Sequence, residues 1–263
     1  MVVSEGKYLF LKQLMIFWPD SAEEIIRLLE KAPFVWVMYC EDSVAEQLVR
    51  YAARRKRMQT ILIDLSQPES ELLADMDQTT RAYVLRKAEK IPHEIVVNEH
   101  LDEAQALLAD FFRRKDFRGP LTLREWKGYL GTNDVFSIRY DGRTVATRVV
   151  LRDPPKHARQ VVAATINRTD AESKKIVGAL NRRLTWHEIT YYKALGYRYY
   201  DFGGIARVGP LLGNAQFKSS FGGNVVNYNS LFLFQSALLR LGFQVVFQLR
   251  RQVRILRGRE TGV

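Results

Sequence analysis

Only one cysteine and four histidines occur among the 263 residues of this chain. The single cysteine, Cys40, follows an apolar run, where a free thiol usually behaves as a small buried hydrophobic group. One cysteine excludes a disulfide or a cysteine metal site within one chain. The histidines are scattered, with neither a His-x-x-x-His pair nor an acidic cluster nearby, which argues against a metal site. We therefore expect no metal, no tightly bound cofactor and no covalent nucleophile of the cysteine or Ser-His-Asp type.

Internal repeats, low-complexity tracts and long linkers rich in proline, glycine or serine are also missing. Any domains should therefore pack closely together. The N-terminal segment has no charged region followed by an unbroken apolar stretch, because Lys12, Gln13 and Asp20 interrupt it, so no secretory signal is predicted. These absences predict a cytoplasmic protein, and a hydrophobic content of 47% is sufficient for a packed core.

Basic residues outnumber acidic ones, with 40 lysines and arginines against 29 aspartates and glutamates, which gives a formal net charge of +11. Such an excess predicts an anionic partner, which could be a nucleic acid, phospholipid headgroups or a phosphorylated carrier. The charge alone does not select among these, and a solvated basic surface without a specific partner is also compatible with it.

Hydrophobic periodicity predicts alternating helices and strands in the N-terminal part of the chain. The predicted elements are a helix that begins near Asp20, a strand at 34–39, a helix at 42–56, a strand at 58–65, a helix at 69–90 and a strand at 94–97. From residue 101 the pattern predicts two helices, three strands, a long helix and a further strand, at 101–115, 121–130, 135–140, 144–151, 158–166, 171–195 and 197–202. A tight hairpin at Asp141-Gly142 joins the first two of the three strands.

Two glycine pairs in aromatic surroundings form the most chemically informative part of the sequence. An aromatic strand, YYDFGG at residues 199–204, ends in the first pair, and the segment FKSSFGG at residues 217–223 ends in the second. Glycine lets the backbone approach a ligand closely, and Lys218 supplies a cation beside it. Asp-Phe-Gly also occurs in protein kinases, but the glycine-rich loop and the His-Arg-Asp loop that a kinase needs are absent upstream.

Together with the helix that precedes them, these motifs resemble the FemAB-like branch of the GNAT acyltransferase superfamily. That family has a helix, a GY-x-x-x-DFGG strand, a variable loop and then FK-x-x-FGG, which is the order found here. A second similarity lies upstream, where DLS at 64–66 and TTRAYVLRKAEK at 79–90 are similar to the family's DLS and KTRxxIRKAEK segments. The two similarities together span about residues 60–226.

The resemblance implies an α/β protein with a GNAT-like fold, a mixed sheet flanked by helices. The predicted order of helix, three-stranded meander, helix and strand supports that fold independently of the motifs. The expected organisation is a truncated GNAT-like unit at residues 1–100, a GNAT-like acyltransferase domain at residues 101–230 and a basic amphipathic helix in residues 231–263.

The resemblance also implicates Lys218 and Phe217 in the active site. A nitrogen nucleophile that attacks an acyl carbonyl builds up an oxyanion, which the Lys218 ammonium would stabilise. Phe217 would be a wall of the substrate channel or, alternatively, a core aromatic residue. The alternative for Lys218 is a surface lysine beside a glycine turn. Asp201 could accept a proton from the attacking ammonium, hold a sugar hydroxyl, or only cap the glycine turn. His187 and Glu188 lie in mid-helix and are predicted to serve packing and surface solvation.

Further residues of the two matched segments are predicted to bind substrate. They are Tyr200, Gly203, Gly204, Phe221, Gly222 and Gly223 from the glycine-pair motifs, and Arg81, Arg86 and Lys87 from the upstream segment. The upstream basic residues could bind a phosphate of a carrier lipid, a nucleotide sugar or a tRNA, although a solvated helix face fits the same pattern.

Donor binding is predicted at Lys174, Lys175 and Gly178. Acyl-CoA-dependent GNAT enzymes cradle the CoA pyrophosphate at a helix start, in a loop that reads Arg/Gln-x-x-Gly-x-Gly/Ala. The corresponding place here keeps the central Gly178, but Lys175 replaces the first residue and Leu180 the last. This half-match fits the FemAB-like branch better, whose peptidoglycan enzymes take aminoacyl groups from tRNA. The donor is therefore either aminoacyl-tRNA or acyl-CoA.

Residues 231–257 predict a basic amphipathic helix. Its polar face would contain Ser236, Arg240, Gln244, Gln248, Arg251 and Arg254, and the opposite face Phe234, Leu238, Leu241, Val245, Leu249 and Leu256. Because Arg240 and the glutamines disfavour a membrane span, the helix either lies on a membrane surface or packs its apolar face on the protein's own core.

The resemblance to the FemAB-like branch implies an N-acyltransferase or aminoacyltransferase that acts on an amine of a cell-envelope precursor, such as a peptidoglycan stem peptide or an amino sugar. The lack of a candidate covalent nucleophile predicts direct transfer. The partners of this enzyme would be the acyl donor, a lipid-linked or nucleotide-linked glycan and, peripherally, the anionic inner face of the membrane. The alternative is a non-catalytic basic adaptor that binds anionic membrane or RNA through residues 81–90 and 231–257 on a degenerate GNAT scaffold. A pocket position of Lys218 would favour the enzyme, and a solvent position the adaptor.

Overall fold

The structure, a computed structural model, describes residues 1–8, 11–114, 132–205 and 212–256, with only the backbone of residues 7, 8, 212 and 250–256. In these ranges the strands are β1 Val2–Tyr8, β2 Leu11–Phe17, β3 Phe34–Cys40, β4 Ala52–Asp64, β5 Glu94–Val97, β6 Asn133–Tyr140, β7 Arg143–Asp153, β8 His157–Thr165, β9 Tyr199–Gly204 and β10 Asn224–Phe234. The helices are α1 Ala22–Leu29, α2 Asp42–Leu48, α3 Glu69–Ala74, α4 Gln78–Ala82, α5 Leu101–Arg114, α6 Ala171–Ala194, α7 Leu212–Ser219 and α8 Ala237–Leu256, with a 3-10 turn at Val49–Tyr51 and a π-helix at Tyr83–Lys87. None of these described helices is long and apolar enough to cross a membrane.

The chain divides into two compact units. The first comprises Met1–Thr60, Gly204–Ala215 and Val225–Val263, and the second Ile61–Gly203 and Gln216–Asn224. These divisions differ from the predicted boundaries near residues 100 and 230, and β10 explains the difference. Its buried residues Leu231 and Leu233 pair antiparallel with Val37 and Val35 of β3, which joins the end of the chain to the N-terminal strands.

The first unit contains a mixed sheet with the strand order β1-β2-β3-β10. β1 and β2 are antiparallel, β2 and β3 are parallel, and β3 and β10 are antiparallel. α1 begins after its N-cap Ser21, whose hydroxyl accepts a hydrogen bond from the Glu24 amide at 3.2 Å, and it packs Ile25 and Leu29 into the core. The helix predicted near Asp20 is thereby confirmed.

The second unit contains a sheet with the strand order β9-β8-β7-β6-β5. All neighbouring strands are antiparallel except β8 and β9, which are parallel. α6 begins with a capping box formed by Asp170 and Ser173 and buries Leu184 and Ile189. The order of α5, the meander β6 to β8, α6 and β9 confirms the predicted GNAT-like α/β fold.

The helix predicted at 42–56 is shorter than expected. It ends at Leu48, and β4 begins at Ala52. Extended backbone there lets Arg55 donate from Nε to Asn229 Oδ1 at 2.7 Å and from Nη1 to Glu46 Oε1 at 2.6 Å. The contact between Arg55 and Asn229 joins residues that are distant in sequence, so periodicity alone could not reveal it.

The helix predicted at 69–90 is wrong as a single element. Asp77 interrupts it, because its carboxylate accepts a hydrogen bond from the Thr80 amide at 2.6 Å and caps a new helix, α4. The helix predicted from residue 231 begins only at Ala237, since the preceding residues complete β10. The strands β1 and β2 were not predicted, and the helix predicted at 121–130 lies outside the described residues.

Candidate active site

A buried ion pair between Asp201 and Arg159 lies in the second unit where β9 meets β8. The two residues are partners in the parallel pairing of these strands, so their side chains leave the same face of the sheet. Arg159 Nη1 donates to Asp201 Oδ2, and the Gly203 amide donates to Asp201 Oδ1 at 2.8 Å. The side chains of Arg159 and Asp201 are only 4% and 0% exposed. Both carboxylate oxygens of Asp201 are therefore engaged.

Gly203 is required by the close approach of neighbouring groups. Its φ is +75°, a conformation that favours glycine, and a Cβ atom there would lie 2.6 Å from the Gln160 carbonyl oxygen. The same Cβ position is 3.8 Å from Lys218 Nζ. Gly203 thus allows the backbone of β9 to lie directly against β8 and beside the lysine of the second motif, whereas a Cβ atom at Gly204 would meet no described atom within 4 Å.

Lys218 lies in the last turn of α7 and is 5% exposed. Burial first, and then the guanidinium groups of Arg159 and Arg148, lower the pKa of Lys218 to about 8, while the Asp201 carboxylate partly opposes this shift. Such an amine is mostly protonated at neutral pH, and it gives up its proton more readily than an ordinary lysine. Lys218 is therefore a buried cation. The alternative prediction, a surface lysine beside a glycine turn, is wrong.

A second buried ion pair, between Arg148 and Glu188, lies in the same unit. Arg148 is 1% exposed and donates from Nη1 to Glu188 Oε1 at 2.7 Å and from Nη2 to Asn181 Oδ1 at 2.8 Å. The Tyr200 hydroxyl donates to the other oxygen of Glu188. Burial raises the pKa of Glu188, and it also raises the pKa of Tyr200, where the nearby Glu188 carboxylate adds to the shift. The surface solvation predicted for Glu188 is thus wrong. Tyr200, a residue predicted to bind substrate, belongs to this buried network.

Phe217 stands between aromatic and cationic neighbours. Its ring centroid lies 5.4 Å from that of Phe221, and the guanidinium carbons of Arg148 and Arg182 lie 5.8 Å and 5.4 Å from it. Cations at such distances from a ring face are attracted by its quadrupole. Phe217 is half-buried and packs against Phe221 and two guanidinium groups, and its role as a wall of a substrate channel stays a prediction.

Three residues predicted to bind substrate, Phe221, Gly222 and Gly223, line a cavity of about 280 Å³ in the second unit. The carboxylates of Asp64 and Asp75 line it as well. Both glycines have positive φ, and a Cβ atom would lie 2.7 Å from Asp75 Cβ at Gly222 and 2.8 Å from the Leu62 carbonyl oxygen at Gly223. Lys218 is not among the described residues that line this cavity. Phe221 connects the cavity with the neighbourhood of Lys218, because its ring also packs against Phe217, the residue before Lys218.

The two sequence segments that carry the family resemblance meet in the structure. Thr80 Oγ1 donates to Ser220 Oγ at 2.8 Å, and the Asp77 amide donates to the Ser220 carbonyl oxygen at 3.0 Å. Ser220 belongs to the FKSSFGG segment, Thr80 belongs to the upstream segment TTRAYVLRKAEK, and Asp77 lies two residues before that segment. Because Arg182 Nε also donates to Thr80 Oγ1 at 3.3 Å, α6 is tied to the same place.

The predicted phosphate-binding residues lie on α4 and the π-helix that follows it. Arg86 and Lys87 are exposed and Arg81 is half-buried. The ammonium of Lys87 stands 4.3 Å from the centroid of the Tyr83 ring, and the guanidinium carbon of Arg182 lies 5.2 Å from the same centroid. Positively charged groups therefore lie against the Tyr83 ring in this segment. Tyr83 is close in sequence to Thr80, which contacts Ser220.

The predicted donor-binding residues lie within α6. Lys174 and Lys175 are exposed, and Asp170 caps the helix through a hydrogen bond from the Ser173 amide at 2.7 Å. Gly178 lies in the continuous helix rather than in a loop, and its carbonyl oxygen accepts a hydrogen bond from Arg182 Nη1 at 3.2 Å. Gly204 is exposed at the end of β9.

Sequence reasoning missed Arg148, Arg159 and the role of Glu188. A usable signal was present, because Arg148 interrupts the apolar pattern of a predicted strand, and a charged residue at a buried position usually has a partner. Among the described residues, no group of three or more histidine, cysteine, aspartate or glutamate side chains could hold a metal ion.

Comparison with known proteins identifies the fold. No protein-family model and no curated protein sequence matches the chain. FemX is similar in structure with a TM-score of 0.67 and 12% identity, over 92% of this chain and 86% of that one. L-PGS from Bacillus licheniformis has a TM-score of 0.57 and 12% identity, over 92% and 84% of the two chains. The fold is FemAB-like.

A third similar structure is the C-terminal domain of a protein designated a lysylphosphatidylglycerol synthetase, from Agrobacterium fabrum. Its TM-score is 0.61 and its identity 15%, over 99% of this chain and 87% of that one. At these identities the likeness shows the fold alone. Within this FemAB-like fold, the second unit contains nearly all of the residues on which the sequence resemblance depends, and it also contains both buried ion pairs.

Proposed function

We propose that the protein is an acyltransferase that moves an aminoacyl or acyl group directly to an amine of a cell-envelope precursor, such as a peptidoglycan stem peptide or an amino sugar. The observation that carries the proposal is the burial of Lys218 beside Asp201 and Arg159 in a FemAB-like fold. Burying a lysine costs stability, so a buried lysine with a lowered pKa is a candidate functional group. Lys218 does not point into open solvent, which favours an enzyme over an adaptor.

In the proposed reaction the acceptor amine attacks the carbonyl carbon of the donor ester or thioester. The carbonyl oxygen becomes an oxyanion, and the Lys218 ammonium stabilises it. Collapse of this intermediate forms the amide bond and breaks the bond to the donor, and the proton lost by the attacking amine balances the proton gained by the leaving hydroxyl or thiol. Asp201 acts as a positioning residue, since its two oxygens hold Arg159 and the Gly203 amide.

We propose aminoacyl-tRNA as the donor, with acyl-CoA as the competing candidate. The place where a CoA pyrophosphate would bind is a continuous helix, α6, whose first turn is capped by Asp170. The exposed Arg86 and Lys87 offer charge for a polyanionic donor. A structural relative that is designated a lysylphosphatidylglycerol synthetase supports the same class, because its named product is an aminoacylated lipid.

The acceptor is proposed to be linked to a lipid or a nucleotide, and the reaction to occur in the cytoplasm at the inner face of the membrane. A panel experiment tests the function: the protein is incubated with charged tRNAs, acyl-CoAs and amine acceptors, and products are identified by mass spectrometry. We expect an acceptor that gains the mass of one aminoacyl or acyl group, and a rate of gain that is lower by about 10² or more with Lys218→Met. If no combination of donor and acceptor gives a product, and the protein binds anionic vesicles or RNA, the non-catalytic adaptor would be the better description of its function.

A further inference from the structure

Helix α8 is attached to the first unit by its aromatic side. The Phe243 ring lies 5.0 Å from that of Phe234 and 5.8 Å from that of Phe232, centroid to centroid. The guanidinium carbon of Arg54 lies 4.0 Å from the centroid of Phe247, one turn further along. Arg240 Nη1 also donates to the carbonyl oxygen of Arg50. The side of α8 that faces its own unit is therefore defined by aromatic and arginine contacts.

The aliphatic side chains of α8 remain exposed. Leu238 is 82% exposed, Leu241 and Val245 are each 55% exposed, and Leu249 is 56% exposed. The spacings of three, four and four residues place these side chains on one face, which we call the aliphatic stripe. The sequence left open the alternative that this apolar face packs on the protein's own core. For these four residues that alternative is wrong, because their side chains are exposed. A contiguous apolar surface of this kind usually marks an interaction site.

The charge of α8 indicates which partner fits the stripe. Residues 237–256 contain four arginines and no aspartate or glutamate, in a chain with a net charge of +11. A second copy of the same helix would bring like charges together, which is unfavourable. A lipid surface that is apolar inside and anionic outside accommodates the stripe among its acyl chains, and its negative charge attracts a basic helix on a basic chain.

We propose that the aliphatic stripe of α8 docks the protein on an anionic lipid surface. The helix lies in the plane of the membrane interface, with Leu238, Leu241, Val245 and Leu249 inserted among the acyl chains. The net charge of +11 on the chain adds long-range attraction to anionic headgroups. This inference depends on α8 alone and does not require the proposed transfer reaction.

Vesicle flotation with two matched double variants tests the proposal. The stripe variant is Leu241→Glu with Val245→Glu, and the control variant is Gln244→Glu with Gln248→Glu on the same helix. Each variant adds two carboxylates, so the change in net charge is the same. Since Leu241 and Val245 are exposed, the stripe variant should fold normally, and circular dichroism and thermal unfolding of both variants check this point.

The wild-type protein should float with vesicles of phosphatidylglycerol and phosphatidylcholine and stay at the bottom with phosphatidylcholine alone. We expect the control variant to lose binding by about 30-fold, because it only adds two negative charges near the surface. The stripe variant should lose about 10³-fold or more, because it also removes two inserted apolar side chains. Equal losses in the two variants, or a wild-type protein that ignores anionic vesicles, would overturn the proposal. A wild-type dimer in sedimentation analysis that the stripe variant dissociates, without vesicle binding, would instead assign the stripe to a second copy.

Discussion

Lys218 Nζ lies 3.8 Å from the position that a Cβ atom on Gly203 would occupy. The two residues come from the two glycine-pair motifs, which are separated in sequence by a segment that includes residues outside the described ranges. That distance is an ordinary van der Waals contact, so the constraint on Gly203 comes from the Gln160 carbonyl oxygen at 2.6 Å from the same Cβ position. The distance to Lys218 shows that the two motifs meet at one place in the fold.

The first prediction concerns Gly203. Gly203→Ala should lower the free energy of unfolding by about 2 kcal/mol or more, because alanine is strained at positive φ and its Cβ would lie 2.6 Å from the Gln160 carbonyl oxygen. Gly204→Ala is the matched control, since no described atom lies within 4 Å of its Cβ position. Urea denaturation of both variants measures the difference. Similar unfolding midpoints in the two variants would contradict the required close approach.

The second prediction concerns catalysis by Lys218. Lys218→Met keeps the length and apolar stem of the side chain but removes the charge, so the rate of transfer should fall by about 10² or more if the ammonium stabilises an oxyanion. The rate of product formation under single-turnover conditions measures this effect. An unchanged rate in a normally folded variant would remove Lys218 from the proposed mechanism.

The third prediction concerns the pH dependence of stability. The pKa of Lys218 falls from its ordinary value of 10.5 to about 8 in the folded protein, chiefly through burial. Between pH 8 and pH 10.5 the unfolded chain binds more protons at Lys218 than the folded protein does, so the free energy of unfolding increases as the pH rises through this range. Below pH 8, the buried ammonium lowers the free energy of unfolding by about 3 kcal/mol relative to its value above pH 10.5. Lys218→Met should therefore be more stable than the wild type at pH 7, and the difference should shrink above pH 10. Urea unfolding at both pH values measures it, and a variant that is less stable at neutral pH would show that Lys218 has a structural role instead.

The fourth prediction concerns the buried pair of Arg148 and Glu188. Arg148→Met alone should lower the free energy of unfolding by about 3–5 kcal/mol, because it leaves the Glu188 carboxylate buried without its cation. Adding Glu188→Met should recover much of that loss, since the unpaired charge is then removed. The exposed pair of Arg113 and Asp110 is the control, where Arg113→Met should cost no more than about 1 kcal/mol. A double variant that is less stable than Arg148→Met would argue against charge burial as the cause.

The fifth prediction concerns the donor. Contacts between arginine or lysine and a tRNA backbone release counterions, so binding should fall steeply with salt, whereas acyl-CoA binding should depend on salt only mildly. Neutralising Arg86 and Lys87 with glutamine should reduce the slope of log affinity against log salt by about 1–2. Filter binding from low to moderate salt measures the slope, with Arg113→Gln as a control at another exposed arginine. A shallow slope with saturable acyl-CoA binding would favour acyl-CoA.

Local patterns predicted much of the fold because they depend on neighbouring residues. The alternation of β6, β7 and β8, the long α6 and its end before Gly196 follow from periodicity and from turn and capping residues. The glycine pairs indicated close approach, and the structure shows which atoms approach, as the carbonyl oxygens of Gln160 and Leu62 illustrate.

Other features depend on residues that are distant in sequence. Arg159 and Asp201 are 42 residues apart, and only the parallel pairing of β8 with β9 brings them together. Arg148 and Glu188 meet because α6 packs across β7, which turns a predicted surface glutamate into a buried partner.

The sequence by itself determined the amphipathic character of residues 237–256, since the order of leucines, valines and arginines sets which side chains share a helix face. It could not determine which face is covered. That choice depends on the aromatic contacts of Phe243 with Phe232 and Phe234, two residues of the strand β10 that pairs with β3. Because these rings occupy the unit-facing side of α8, the aliphatic side chains are left at the surface, and the tertiary structure alone decides that Leu238 and Val245 face outward.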